Sequence, residues 1–161
     1  MKRTIVASRI VLNPLGIDHI DELYWLESDL EVNRYQDYPP MTQEKAKLYC
    51  DDSEESWSSE TFPKWQEFAI VRDGVFLGRI GFQHEGGVAT VWYALVPEFR
   101  GQGFAREALT ALINDLRGMG VERMEANCSV ENVRSGNLLL STGFEEIESD
   151  EEDLRKFKFV Y

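Results

Sequence analysis

Between Val91 and Ala105 a strand ends, a glycine-rich turn follows and a helix begins, with hardly a residue between them: Val91-Trp92-Tyr93-Ala94-Leu95-Val96-Pro97-Glu98-Phe99-Arg100-Gly101-Gln102-Gly103-Phe104-Ala105. Such a turn can aim several backbone N–H groups at one point, and the helix N-terminus adds roughly half a positive charge there. Glycines let the backbone come close to an anion, and Arg100 can add a paired charge. In physical terms this is a pyrophosphate site. The same residues also serve as an ordinary tight strand-to-helix connection. A dinucleotide fingerprint would need a third glycine where Arg106 stands, and a nucleotide-triphosphate loop would need a lysine that is missing.

The rest of the chain supplies a frame for this turn. Thr4–Leu12 is rich in β-branched residues and reads as a strand ended by Asn13-Pro14. Asp18–Asp29 has helical apolar spacing at Ile20, Leu23, Tyr24 and Leu26. After the break Tyr38-Pro39-Pro40, Thr42-Gln43-Glu44-Lys45 predicts a cap and a second helix. Phe68–Val71 and Phe76–Phe82 flank the turn Arg72-Asp73-Gly74, and Gly86-Gly87 leads into a strand over Val88–Val96. Gly103–Leu116 carries an apolar stripe of Phe104, Ala108, Leu109, Leu112, Ile113 and Leu116, closed by Gly118 and Gly120. A strand over Val121–Val130, a short helix over Asn132–Thr142 and strands at Phe144–Ile147 and Phe157–Tyr161 complete an order of β-α-α-β-β-β-α-β-α-β-β. With 161 residues and no linker or repeat, residues 1–161 read as one mixed α/β layer domain.

Charge narrows the partners. The formal net charge is −12, from 17 Lys+Arg and 29 Asp+Glu. Asp51–Glu60 holds five acids and Glu145–Asp153 holds seven, with no base in either. The remaining chain is neutral. No cationic stripe exists for nucleic acid, and an anionic membrane surface is disfavoured. A cationic or amine partner is favoured. The two cysteines, Cys50 and Cys128, belong to no metal-ligand cluster, so no metal is expected. Arg9 interrupts the start of the chain before any h-region of signal length, and no apolar run approaches a spanning helix. The expected location is a reducing cytoplasm.

Arg100-x-x-Gly103-x-Ala105 matches the (Gln/Arg)-x-x-Gly-x-(Gly/Ala) signature of the GNAT acetyltransferase superfamily. Arg100–Ala108, followed by Asn132-x-x-Ser135-x-x-Leu138-Leu139-x-x-x-Gly143-Phe144, resembles its ribosomal-protein N-acetyltransferase (RimJ/RimL-like) branch. Ser28-Asp29-x-Glu31-Val32-x-Arg34-Tyr35 resembles that branch's loop between the first two helices. The resemblance spans nearly the whole chain. It implies an α/β (α+β) domain with a mixed, mostly antiparallel central sheet, helices on both faces, and parallel strands 88–96 and 121–130 that part to admit acetyl-CoA. It implies that backbone N–H groups of Leu95 and Val96 hold the pantetheine arm and polarise the thioester. Arg100 and Gly101, Gln102, Gly103, Phe104, Ala105 and Arg106 would cradle the pyrophosphate, and Asn132 would bond the cofactor arm while capping the 132–142 helix. The implied reaction is direct attack by a primary amine on the thioester.

Two proton transfers need residues. Many relatives use a tyrosine to protonate the thiolate, but that position is Leu139, so Ser135 is the candidate donor. Many place a glutamate on the strand before the phosphate turn, where this chain has Ala89 and Thr90. The base is then Glu31, Asp37, an acid of 145–153, or water. His84 and Glu85 read as exposed turn residues. The acceptor expected is a peptide or protein N-terminus, a polyamine or another small cationic amine. The two acidic segments then form an electronegative mouth, or else remain solvated surface. Dimers are common among resembling proteins. Leu139 and the missing strand carboxylate also fit a second class of function, a non-catalytic acyl-CoA-binding module that regulates a protein partner. A third is a different acyl donor or an ester-forming acceptor.

Overall fold

The computed structural model describes residues 2–61 and 63–161; Met1, which opens the basic start of the chain, lies outside them. Among the described residues eight strands form one sheet in the order β1-β2-β3-β4-β5-β6-β8-β7. They are β1 (Ile5–Val6), β2 (Val11–Pro14), β3 (Trp65–Arg72), β4 (Val75–Glu85), β5 (Val88–Leu95), β6 (Arg123–Ser129), β7 (Glu145–Ile147) and β8 (Leu154–Val160). The helices are α1 (Ile20–Ser28), α2 (Gln43–Trp57), α3 (Phe104–Gly118) and α4 (Val133–Ser141). Among the described residues β5 and β6 are the one parallel pair; the remaining pairs are antiparallel.

Local chemistry explains the elements. Thr42 caps α2, its hydroxyl accepting the Lys45 N–H at 3.2 Å. The β3–β4 hairpin turns on Asp73 (φ 50) and Gly74 (φ 77), and the β4–β5 hairpin on Gly86 (φ 57) and Gly87 (φ 81). Two successive left-handed residues match the twist of antiparallel strands, so each two-residue turn also fixes the register of its pair. The six apolar positions expected on α3 are all buried. They join Phe68, Ile70, Ile80, Phe82, Val91, Leu139 and Phe157 in the larger core, on the α3/α4 side of the sheet. Leu15, Leu23, Ala46, Cys50 and Ala69 form a smaller core under α1 and α2.

One expected element is different. Thr4–Leu12 is not a single strand but a tight hairpin, β1–β2, closed by the Ala7 N–H donating to Ile10 C=O at 3.0 Å. Asn13-Pro14 does not end β2 either: both residues pair with β3, and the Leu15 N–H goes on to Glu67 C=O at 2.9 Å. The bend projects Arg9 toward α3, where it acquires partners that no local pattern announces.

Candidate active site

The parallel pairing of β5 and β6 stops at Thr90↔Glu125. Beyond it β5 stays with β4 as far as Gly78↔Leu95, and β6 stays with β8 as far as Ser129↔Leu154. The two parallel strands therefore part toward their C-terminal ends and leave a gap between their edges. In an antiparallel pair, alternate residues turn both backbone polar groups to the partner. Val96 belongs to the set facing β4, since its N–H donates to Leu77 C=O at 2.9 Å. Tyr93 and Leu95 belong to the other set and turn their N–H groups toward the gap. The Val96 N–H is thus committed to β4, while the Leu95 and Tyr93 N–H groups are turned to the gap.

The glycine-rich turn lies at the same end. A short 3₁₀ turn, Pro97–Phe99, delivers Arg100, and Gly101 (φ 75) and Gly103 (φ 84) both adopt the left-handed conformation. Gly103 is the N-cap of α3 and offers no side-chain cap, which leaves the first-turn N–H groups free of one. A Cβ on Gly101 would meet nothing within 4 Å, so its face is open. The Gln102 amide is tied back to Glu98 C=O at 3.3 Å, and Arg106 donates to Ser141 C=O at 3.3 Å. Arg100 is half-buried. Burial pushes its guanidinium below its usual range, and the like charge of Arg134 on α4 adds to this; Glu31, Asp29 and Tyr35 oppose it. The α1–α2 loop thus approaches the glycine-rich turn. Among the described residues neither Arg100 nor Arg134 has a carboxylate in an ion pair.

Arg9 is a part of this site that sequence reasoning missed. Its backbone N–H and Nε donate to the two oxygens of Glu107 at 2.5 and 2.7 Å, and its Nη1 donates to Gln102 C=O at 2.9 Å. Its guanidinium lies over the Phe104 ring, 4.6 Å from the centroid. Burial would raise the Glu107 carboxyl, but the Arg9 N–H and guanidinium outweigh it and hold it below the usual range. The clamp fixes the shape of the turn from the far edge of the sheet. Ala7, Arg9, Gly103, Arg106, Glu107 and Thr110 border a surface cleft of about 460 Å³ beside it.

On the opposite side of the gap, α4 presents Asn132 and Ser135. Asn132 caps the helix, its Oδ1 accepting the Ser135 N–H at 3.2 Å. Ser135 Oγ is 2.7 Å from the Tyr93 hydroxyl. Leu139 is fully buried in the core. No carboxylate rises from β5 here: Ala89 is buried and Thr90 exposed.

A second feature absent from the sequence reading lies on the other face. Arg79 Nε donates to Glu27 Oε1 at 2.6 Å, and its Nη1 donates to Glu67 Oε1 at 3.1 Å. Both carboxylates are 0 % exposed. Glu67 Oε2 also accepts from Tyr49 Oη and Trp92 Nε1, each at 2.7 Å. Glu27 Oε2 is buried without a hydrogen-bond partner. This network ties α1, α2, β3, β4 and β5 together behind the gap.

The acidic segments do not share an entrance. Asp52 and Glu55 lie with Trp65, Gln83 and Trp92 at the end of the sheet where β5 begins. The 148–153 turn precedes Leu154, which pairs with Ser129 at the end where β5 and β6 part. Strand direction separates the two charge runs, so only the second stands near the gap. Part of its charge is already compensated by Arg155–Glu146 at 2.7 Å and Lys156–Asp150 at 2.5 Å. Among the described residues no group of three or more His, Cys, Asp or Glu side chains is placed to hold a metal, and no helix is long and apolar enough to cross a membrane.

Known proteins share this architecture. RimL, a ribosomal L7/L12 α-N-protein acetyltransferase solved with coenzyme A, superposes with a TM-score of 0.86 at 18% identity, covering 98% of each chain. A GNAT-family acetyltransferase from Bacillus anthracis gives 0.83 at 17% identity, also over 98% of each chain. The N-acetyltransferase p20 of Bacillus licheniformis is 28% identical over 148 residues, 88% of this chain and 82% of that protein. The acetyltransferase (GNAT) domain model matches residues 9–145, from the clamp arginine through the glycine-rich turn and α4 to β7. On that match over most of its length, the chain belongs to the GNAT acetyltransferase family.

Proposed function

We propose that this protein moves an acetyl group from acetyl-CoA to a primary amine, a peptide N-terminus or a small cationic amine, by direct attack in a ternary complex. The observation that carries this reading is the gap itself. Donors of Tyr93 and Leu95 face it, an uncapped helix N-terminus stands at one side, and the Ser135 hydroxyl stands at the other. Residues 1–161 act as one domain, since β8 closes the far side of the gap by pairing with β6.

Arg100 and the backbone of Gly101–Arg106 hold the pyrophosphate, and Asn132 steadies the cofactor arm. The Leu95 and Tyr93 N–H groups meet the thioester oxygen as negative charge grows on it. One such donor is worth about 2.7–4 kcal/mol in a transition state. Ser135 meets the departing thiolate. Glu31, beside Arg100, or a water held there removes the proton from the amine. Nearby carboxylates raise an ammonium's pKa and oppose that step. An α-amino group near 7.7–8.0 therefore suits the site better than a lysine near 10.4. RimL's action on a ribosomal protein N-terminus supports the same choice.

Acetyl-CoA mixed with peptides bearing free N-termini and with small amines, followed by free-thiol release, tests the reading. Binding of acetyl-CoA without turnover on any acceptor would favour a regulatory acyl-CoA sensor, a role that buried Leu139 and Ala89 would suit. Failure to bind acetyl-CoA would overturn both. Ser135→Ala is expected to lower kcat roughly 10- to 100-fold with little change in KM for acetyl-CoA. Replacing Glu148, Glu152 and Asp153 with their amides is expected to raise KM severalfold for cationic acceptors only. Equal KM values would assign that turn to solubility.

A further inference from the structure

Tyr93 lies on β5, one of the two strands that border the gap, and Ser135 meets it from α4. The Tyr93 hydroxyl has two oxygen partners, both belonging to Ser135: Oγ at 2.7 Å and the backbone carbonyl at 3.4 Å. A carbonyl only accepts, so the phenolic proton is directed toward α4 in either case. The Oγ contact is the shorter, and either oxygen can be its donor. With the phenol as donor, Ser135 keeps its own proton for a third atom.

We propose that Tyr93 is a positioning residue for the leaving group: its phenol donates to Ser135 Oγ, and this aims the serine proton at the CoA sulfur. The inference rests on the reading of Ser135 as the thiolate's donor. Tyr93 does not itself surrender its proton. Burial pushes its phenol well above the usual range, so it remains a donor while the thioester is cleaved. When the carbon–sulfur bond breaks, the electron pair goes to sulfur. Ser135 donates a hydrogen bond to the resulting thiolate, and the proton that finally neutralises it comes from water.

The test uses free CoA and needs no acceptor. The thiol of bound CoA is titrated by thiolate ultraviolet absorbance against the unliganded protein. A hydrogen bond to the thiolate lowers the thiol's pKa. In Ser135→Ala and in Tyr93→Phe the bound thiol is expected to titrate about one unit higher than in the wild type, about tenfold less thiolate at a given pH. The double variant is expected to go no further than Ser135→Ala alone. CoA affinity below the thiol's pKa, and the melting temperature, are expected to stay close to wild type. Tyr93→Phe keeps the ring in place. As a second probe, 3-fluorotyrosine at position 93, a stronger donor, is expected to move the bound thiol the opposite way.

If Ser135→Ala raises the thiol's pKa and Tyr93→Phe does not, the inference falls and the role of Ser135 stands. If the two shifts add in the double variant, Tyr93 acts on its own and the inference falls. If Tyr93→Phe abolishes CoA binding with the fold intact, Tyr93 merely shapes the gap. If neither substitution moves the titration, the donor role of Ser135 falls as well.

Discussion

Arg79→Met is expected to lower the unfolding free energy by about 3–5 kcal/mol, the usual cost of removing one partner from a buried ionic group. The Arg79 side chain is 10% exposed and stands between two carboxylates that are 0% exposed. Without it Glu27 loses its ion-pair partner, and Glu67 keeps the donors from Tyr49 and Trp92. For a chain of this size the melting temperature should drop on the order of 10 °C. The pH dependence has a definite sign. Burial already raises the Glu67 carboxyl above its ordinary value, against the pull of Arg79. A carboxyl whose folded pKa is raised binds more protons folded than unfolded, so its contribution is present below the unfolded pKa and is lost as pH rises through the folded one. The variant should therefore be less impaired near pH 5 than near pH 8. Adding Glu67→Gln to it should recover part of the loss. Urea unfolding at both pH values decides the matter, and a loss below about 1 kcal/mol would mean that the network contributes little to stability.

Gly103→Val is expected to weaken CoA binding by roughly 10- to 100-fold. At φ 84 a β-branched residue is badly strained, at about 1–3 kcal/mol, and each 1.4 kcal/mol is a factor of ten. The new Cβ would also stand 3.2 Å from Arg9 Nη2 and press on the clamp that holds Gln102 and Glu107. Gly101→Ala is the comparison. Its φ of 75 brings strain, but the Cβ meets nothing, so the loss should be only severalfold. Calorimetric titration with CoA measures both. Equal affinity in Gly103→Val and wild type would remove the turn from the binding site.

What could be read before folding depended on range. The α3 stripe, the Thr42 cap, the two glycine hairpins and the turn at 100–105 are each written within a dozen neighbouring residues, and all are formed. The Arg9 clamp joins residues 98 apart, and the Arg79 network joins residues 52 and 12 apart on three elements. No periodicity announces such pairs. Arg9 also lay inside a β-branched run that masked its bend. The acidic runs were visible as charge, but a count has no direction. Only the path of β3 and β8 puts them at opposite ends. Val96 failed as a donor for a similar reason, because which amides face the gap depends on pairing with β4 and not on the motif.

That dependence makes the β4–β5 hairpin a counting device. From the closing turn at Gly86-Gly87, every second peptide of β5 faces away from β4, first toward β6 and then into the gap. Inserting or deleting one residue within β5 alone would exchange the two sets. Amides and side chains would trade faces together, and Tyr93 would leave α4 as its N–H left the gap. Length variation along this strand is therefore tolerable in steps of two, while the surface loops bordering it are free to vary one residue at a time.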